Sequence, residues 1–154
     1  MIRTIRTLIS FVVLILGLVV AATYVPDWLR RVQVPQGYDG IGGLAPMSGV
    51  WLDPPPYLPG DVLAYRFGDG PEDITFSFVA ALPGSTVRLG GGALLVDGHA
   101  AQNWKEHGRY AGIHDLGPLT IPAGHYFVVN PEHRHDSLVL GVIGSDRILG
   151  KVRE

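Results

Sequence analysis

Cysteine is absent from all 154 residues. That excludes disulfides, thiolate zinc sites and a cysteine nucleophile, and it leaves the redox compartment open. Lysine is almost absent: Lys105 and Lys151 are the whole supply. Positive charge is in no excess, with 12 Lys and Arg against 14 Asp and Glu and a net charge of −2. No footprint for a phosphate backbone exists, so no nucleic-acid partner is expected. Charged residues make up only 17% of the chain against 47% apolar ones, which is a composition that packs a core and does not keep a chain disordered. Helical spacing is missing over most of the length, whereas Gly (21) and Pro (12) are plentiful. Many turns and short strands follow from that pair. The length allows about one ordinary domain.

One long apolar run stands out. Leu8 to Val25 is 18 residues without a charge, enough for about 27 Å of helix and therefore for one bilayer crossing. Arg3 and Arg6 precede it, and Asp27, Arg30 and Arg31 follow. The Lys/Arg count ties, and the α-amino group tilts the N-terminus inward. Tyr24 and Trp28 stand where an interfacial aromatic belt belongs, and Pro26 ends the span. A cleaved secretory signal is the alternative, with small residues at Val19 and Ala21 or Val20 and Ala22. The run is longer than such a signal needs. The organisation expected is a short tail over 1–6, a transmembrane helix over 7–25, a linker over 26–40 and a β domain over 41–154. This places the chain in the inner (cytoplasmic) membrane, single-pass, with its domain on the extracytoplasmic side.

Beyond the Pro/Gly-rich passage from Val34 to Gly43, apolar residues come in short runs bounded by turn formers. Strands are expected over Asp61–Phe67, Ile74–Ala80, Thr86–Leu89, Ala93–Val96, His125–Asn130, Ser137–Ile143 and Arg147–Val152. Seven short strands point to a mostly β fold, a coiled antiparallel sheet or barrel. Gly90, Gly91 and Gly92 supply the positive φ of a tight hairpin between two of them. The polar stretch from Ala100 to Gly117 reads as an inserted loop or short helix. Gly144 to Lys151, GSDRILGK, is not a phosphate loop: five residues separate its glycines and Val152 stands where Ser or Thr is needed.

Five short pieces follow one another along the chain: Pro59-Gly60-Asp61-Val62, Ala81-Leu82-Pro83-Gly84, Gly124-His125-Tyr126-Phe127-Val128-Val129, Asp136-Ser137 and Gly150-Lys151-Val152. In this order, behind an N-terminal span, they resemble the signal peptidase I family over about residues 41 to 152. The segment before Gly60 looks more like its conjugative-transfer, pilin-maturing branch. That resemblance implies a signal-peptidase-type β domain, and acyl transfer by a Ser hydroxyl whose proton goes to a buried, neutral Lys. In that branch the nucleophile stands in S-M-P-x-G-[LV]-[YW]. The sequence here is Ala45-Pro46-Met47-Ser48-Gly49-Val50-Trp51, so its end matches and its start does not. Anchoring on Gly49 puts Ala45 at the nucleophile position, and anchoring on Met47 puts Pro46 there. The family's Lys-Arg pair aligns onto Ser77 and Phe78, and the Arg after its Asp-Ser pair aligns onto Leu138. Three cationic positions are uncharged together.

The catalytic candidates are therefore unorthodox. Ser48 is the nearest hydroxyl to the nucleophile position, with His135 or His133 as base, Asp136 to orient an imidazole, and Lys105 as the only plausible lysine. The plainer alternative makes Ser48 a turn residue before Gly49 and both histidines solvated loop residues. Ser77 occupies the family's lysine position, and Asp136 and Ser137 match a structural or substrate-groove pair. Glu132 to Asp136 contains a His-x-His with flanking carboxylates, but Arg134 sits between the rings and His99, His107 and His114 are scattered. No metal and no cofactor are expected. Trp51, Trp104 and Tyr57 are read as packing residues. Two functions stay open: a catalytically degenerate domain that engages exported, leader-bearing or pilin-like polypeptides at the membrane, and an active serine endopeptidase with Ser48 as nucleophile. A purely structural envelope part is the third and blandest.

Overall fold

The computed structural model of the protein describes residues 11–17, 31–36, 41, 43–101, 104, 115–130 and 135–153. Residues 11–17 form a helix, α1, with exposed side chains. No helix among the described residues is long and apolar enough to cross a membrane. The rest of the expected span, 7–10 and 18–25, lies outside them.

Strands dominate. They are β1 (Val32–Gln33), β2 (Gly49–Val50), β3 (Leu52–Asp53), β4 (Val62–Arg66), β5 (Ile74–Ala81), β6 (Thr86–Gly90), β7 (Ala93–Val96), β8 (His99–Ala100), β9 (Leu116–Thr120), β10 (His125–Val129), β11 (Ile143–Gly144) and β12 (Ile148–Val152). A single turn of helix, α2 (Ser137–Leu140), interrupts them. The central sheet has six antiparallel strands in the order β11-β10-β5-β4-β12-β3, the second has four in the order β8-β7-β6-β9, and β1 and β2 form a ribbon. Among the described residues none of these sheets closes on itself, so the fold is mostly β as expected but is not a closed barrel. Among the described residues the larger sheet ends at the two-residue strands β3 and β11, each paired on one side.

Alternation sorts the side chains. Ala64 and Phe76 face one side of the central sheet and pack with Leu52, Leu149, and Val32 and Val34 of the ribbon. Leu63, Tyr65 and Val79 face the other side, with Tyr57, Val128 and Ile143. The ends of β5 and β10 run on to meet the second sheet, where Ala81, Phe127 and Val129 pack on Val87, Leu89 and Leu94. Because β5 is covered on both sides, its run ITFSFVAA is buried almost throughout and lacks the alternation of a half-exposed strand. The β6–β7 hairpin turns as the glycines imply, with Gly91 at φ 59° and Gly92 at φ 79° between the paired Gly90 and Ala93.

The expected strand over Ser137–Ile143 is a correction. Its first four residues are α2, because Asp136 caps them: the carboxylate accepts the Leu138 N–H, and Gly141 ends the turn at φ 79°. Only Ile143 joins β11. The passage from Ala100 to Gly117 begins in β8 and ends in β9, and most of what lies between is outside the described residues. Strand β9 carries Pro118 at the edge of its sheet, a position where a missing N–H is harmless. The stretch 26–40 includes β1, and Val32 and Val34 belong to the core.

Candidate functional site

Strands β4 and β5 pair with Leu63 opposite Ser77 and Tyr65 opposite Thr75. Ser77 and Tyr65 therefore share a face, one step apart on the diagonal. Ser77 is fully buried, and its Oγ lies 2.7 Å from the Tyr65 hydroxyl. Tyr65 also donates to the backbone carbonyl of His135. A phenol carries one proton. With that proton committed to His135, the Tyr65 oxygen is left to accept from Ser77. The polar chain thus runs from Ser77 through Tyr65 to the His135 carbonyl.

His135 is held from a second direction. Its ring stacks on Phe67, centroids 4.0 Å apart and planes within 4°. Beyond it the backbone is tied down residue by residue. Asp136 accepts the Asn130 N–H with Oδ2 and the Leu138 N–H with Oδ1, both at 3.0 Å. Ser137 Oγ accepts the Val128 N–H at 2.9 Å, and the Asn130 amide donates to the Phe76 carbonyl at 2.7 Å. Asp136 and Ser137 are both buried. They clamp α2 to β10 and β10 to its neighbours, which accounts for polar groups without access to water.

Ser48 stands elsewhere. It follows Met47, whose φ is 60°, and its hydroxyl donates to the Ala45 carbonyl at 2.5 Å inside its own turn. Its carbonyl accepts the Val34 N–H at 2.8 Å. That turn belongs to the ribbon, on the Ala64 and Phe76 side of the central sheet. His135 meets Tyr65 and Phe67 on the opposite side. The structure brings together Ser77, His135, Asp136 and Ser137; it does not bring Ser48 to them. His133 and Lys105 lie outside the described residues. Lys151, the other lysine, reaches Asp61 at 3.4 Å, and Asp61 also accepts the Leu58 N–H at 2.7 Å. Two of the sequence pieces thereby meet.

Among the described residues no group of three or more His, Asp or Glu is gathered to hold a metal. Trp51 is exposed, whereas Trp104 donates its indole N–H to the Gly92 carbonyl at 2.9 Å. Tyr57 packs edge-on against Tyr126 at 5.5 Å. Burial, and secondarily Tyr126, push its phenol pKa up, so it stays neutral.

Tyr65 and Phe67 are the residues that sequence reasoning passed over. A signal was present: Leu63, Tyr65 and Phe67 alternate along one expected strand, Thr75, Ser77 and Val79 along the next, and Gly68-Asp69-Gly70 turns between them. Pairing the two strands across that turn sets Tyr65 beside Ser77.

The model of the signal peptidase, peptidase S26 family matches residues 51–154 of this chain, and the chain belongs to that family. The matched region begins after Ser48. Among solved structures, a signal peptidase I from Enterococcus faecalis V583 is similar at 19% identity, with a TM-score of 0.49, covering 66% of this chain and 100% of its own. No curated protein matches.

Proposed function

We propose that this chain is a membrane-anchored, signal-peptidase-type domain of the conjugative-transfer, pilin-maturing kind that engages exported, leader-bearing or pilin-like polypeptides without cutting them. The observation that carries the proposal is Ser77. The resemblance puts the family's general base at this position, and the group here is a fully buried hydroxyl whose proton is held by Tyr65. An alcohol does not take up a proton near neutral pH, and the Ser48 hydroxyl is on the far side of the sheet. Support also comes from Phe78 and Leu138, uncharged where the resemblance implies cations. The apolar run Leu8–Val25 is the anchor in this proposal. It sets the domain at the inner membrane on the extracytoplasmic side, where exported chains emerge.

The second function, a serine endopeptidase with Ser48 as nucleophile and His135 or Lys105 as base, draws on the family membership itself. Titrating a fluorescently labelled leader-bearing peptide with full-length protein in detergent separates engagement from a purely structural role. The expected result is saturable binding that Ser48→Ala leaves unchanged. Absence of binding to every leader-bearing peptide would overturn the proposal.

A further inference from the structure

A groove of about 620 Å³ opens between β1 and the turn joining β4 to β5, within the roughly 300–1,000 Å³ of specific ligand sites. Arg31 and Gln33 line one wall, Arg66 and Glu72 the other, and Ile74 and Leu149 contribute apolar surface. None of these residues takes part in the polar chain around Ser77.

The backbone on the β1 side is presented for pairing. Val34 donates to the Ser48 carbonyl at 2.8 Å and accepts the Met47 N–H at 3.0 Å, and Val32 stands opposite Val50. In an antiparallel ladder the residue between two such positions turns its peptide groups the other way. Gln33 therefore directs its N–H and C=O away from β2. Among the described residues β2 is the only strand paired with β1. An edge of this kind is a template for an added strand, and Pro35, which has no N–H, limits the added pairing to a short stretch.

Charge narrows the occupant. Two guanidinium groups and one carboxylate line the groove, so it is net positive. Arg31 lies across Gly49 so closely that a Cβ there would collide with its Nε. A guanidinium is suited to a carboxylate, which it binds through paired N–H groups. We propose that this groove takes an extended polypeptide segment that adds as a strand to the free edge of β1 and sets an acidic side chain between Arg31 and Arg66, with its apolar side chains against Ile74 and Leu149. This rests on the function proposed above and assigns it a place.

The test uses full-length protein in detergent and two labelled synthetic peptides. One alternates Val and Thr around a single Asp; its twin has Lys in place of the Asp. The Asp peptide binds more tightly to the unaltered protein. Arg66→Glu weakens that binding by about tenfold or more and reverses the preference, and Arg31→Glu, at an exposed side chain, shifts it in the same direction. Gln33→Pro removes the outward N–H while leaving the Val32 and Val34 bonds to β2, and weakens both peptides about fivefold. Melting curves confirm that each variant folds. If all three variants bind both peptides as the unaltered protein does, or if leader-bearing peptides bind and these two do not, the groove assignment is wrong while polypeptide engagement stands. If neither kind of peptide binds, both proposals fall.

Discussion

Tyr65 reaches two partners with one hydroxyl, Ser77 on the neighbouring strand and the His135 carbonyl that follows β10. Removing that oxygen leaves a buried serine donor and a backbone acceptor without their shared partner. Tyr65→Phe should therefore lower stability by about 1–3 kcal/mol, measured by urea denaturation followed through tryptophan fluorescence. Ser48→Ala loses a hydroxyl bonded only within a surface turn, and its effect should stay below about 1 kcal/mol. The contrast between the two variants separates a structural polar chain at Ser77 from an incidental contact. Residue identity made part of this legible. The uncharged Ser77, Phe78 and Leu138 are visible in the chain itself. That Tyr65 accepts a hydrogen bond from Ser77 is not, because it depends on the register that sets two residues 12 positions apart side by side on paired strands.

Among the elements, α2 shows how a cap overrides pattern. SLVLGVI is apolar and β-branched enough to suggest a strand. The Asp136 carboxylate, accepting from Leu138 and from Asn130, and Gly141 at positive φ turn it into one helical turn instead. Asp136→Ala should cost about 2 kcal/mol or more, since it strips a cap and removes the carboxylate that accepts the buried Asn130 N–H. Gly141→Ala meets no atom within 4 Å of the added Cβ. Its loss of about 1 kcal/mol should come from the strained φ alone, and both values are read from the same denaturation curves. Strands β4, β5, β6, β7, β10 and β12 lie within a residue or two of their expected bounds, since each has a contiguous apolar run closed by turn formers. The two-residue strands β1, β2, β3 and β8 carry no such run, and tertiary pairing alone defines them.

The second sheet offers a pH test. Asp97, at φ 50°, accepts the Thr86 N–H at 2.7 Å. That bond, then one from Ser85, outweigh desolvation and, with a lesser contribution from the nearby His99, hold its carboxyl below the usual range. A lowered folded-state pKa contributes stability that is present above the unfolded pKa and lost as pH falls through the folded one. Asp97→Asn tolerates the same backbone and keeps an acceptor. The unaltered protein should melt higher than this variant near neutrality, and the gap in Tm should close as the pH drops below the ordinary carboxylate range.

Across the whole molecule, the pieces that carry the family resemblance are scaffold. Gly60, Gly84 and Gly124 turn the chain at φ 93°, 88° and 70°, Asp61 meets Lys151, and Ser137 ties α2 to β10. Each is tied to a local conformation or a single contact, which is why the family was legible from short pieces in order. The chemistry was legible only as a mismatch at Ala45–Gly49 and Ser77, since a reactive pair is a matter of distance, and distance between remote residues is set by the fold. The turn that carries Ser48 and the ring of His135 lie on opposite faces of the central sheet, a separation that no motif spacing reveals.

The most direct test is a mass-spectrometric time course of a leader-bearing pre-pilin peptide incubated with full-length protein in detergent, beside Ser48→Ala and His135→Ala. The proposed function predicts that the peptide stays intact in all three. A cleaved product that forms with the unaltered protein and disappears with Ser48→Ala would contradict it and establish a working serine peptidase.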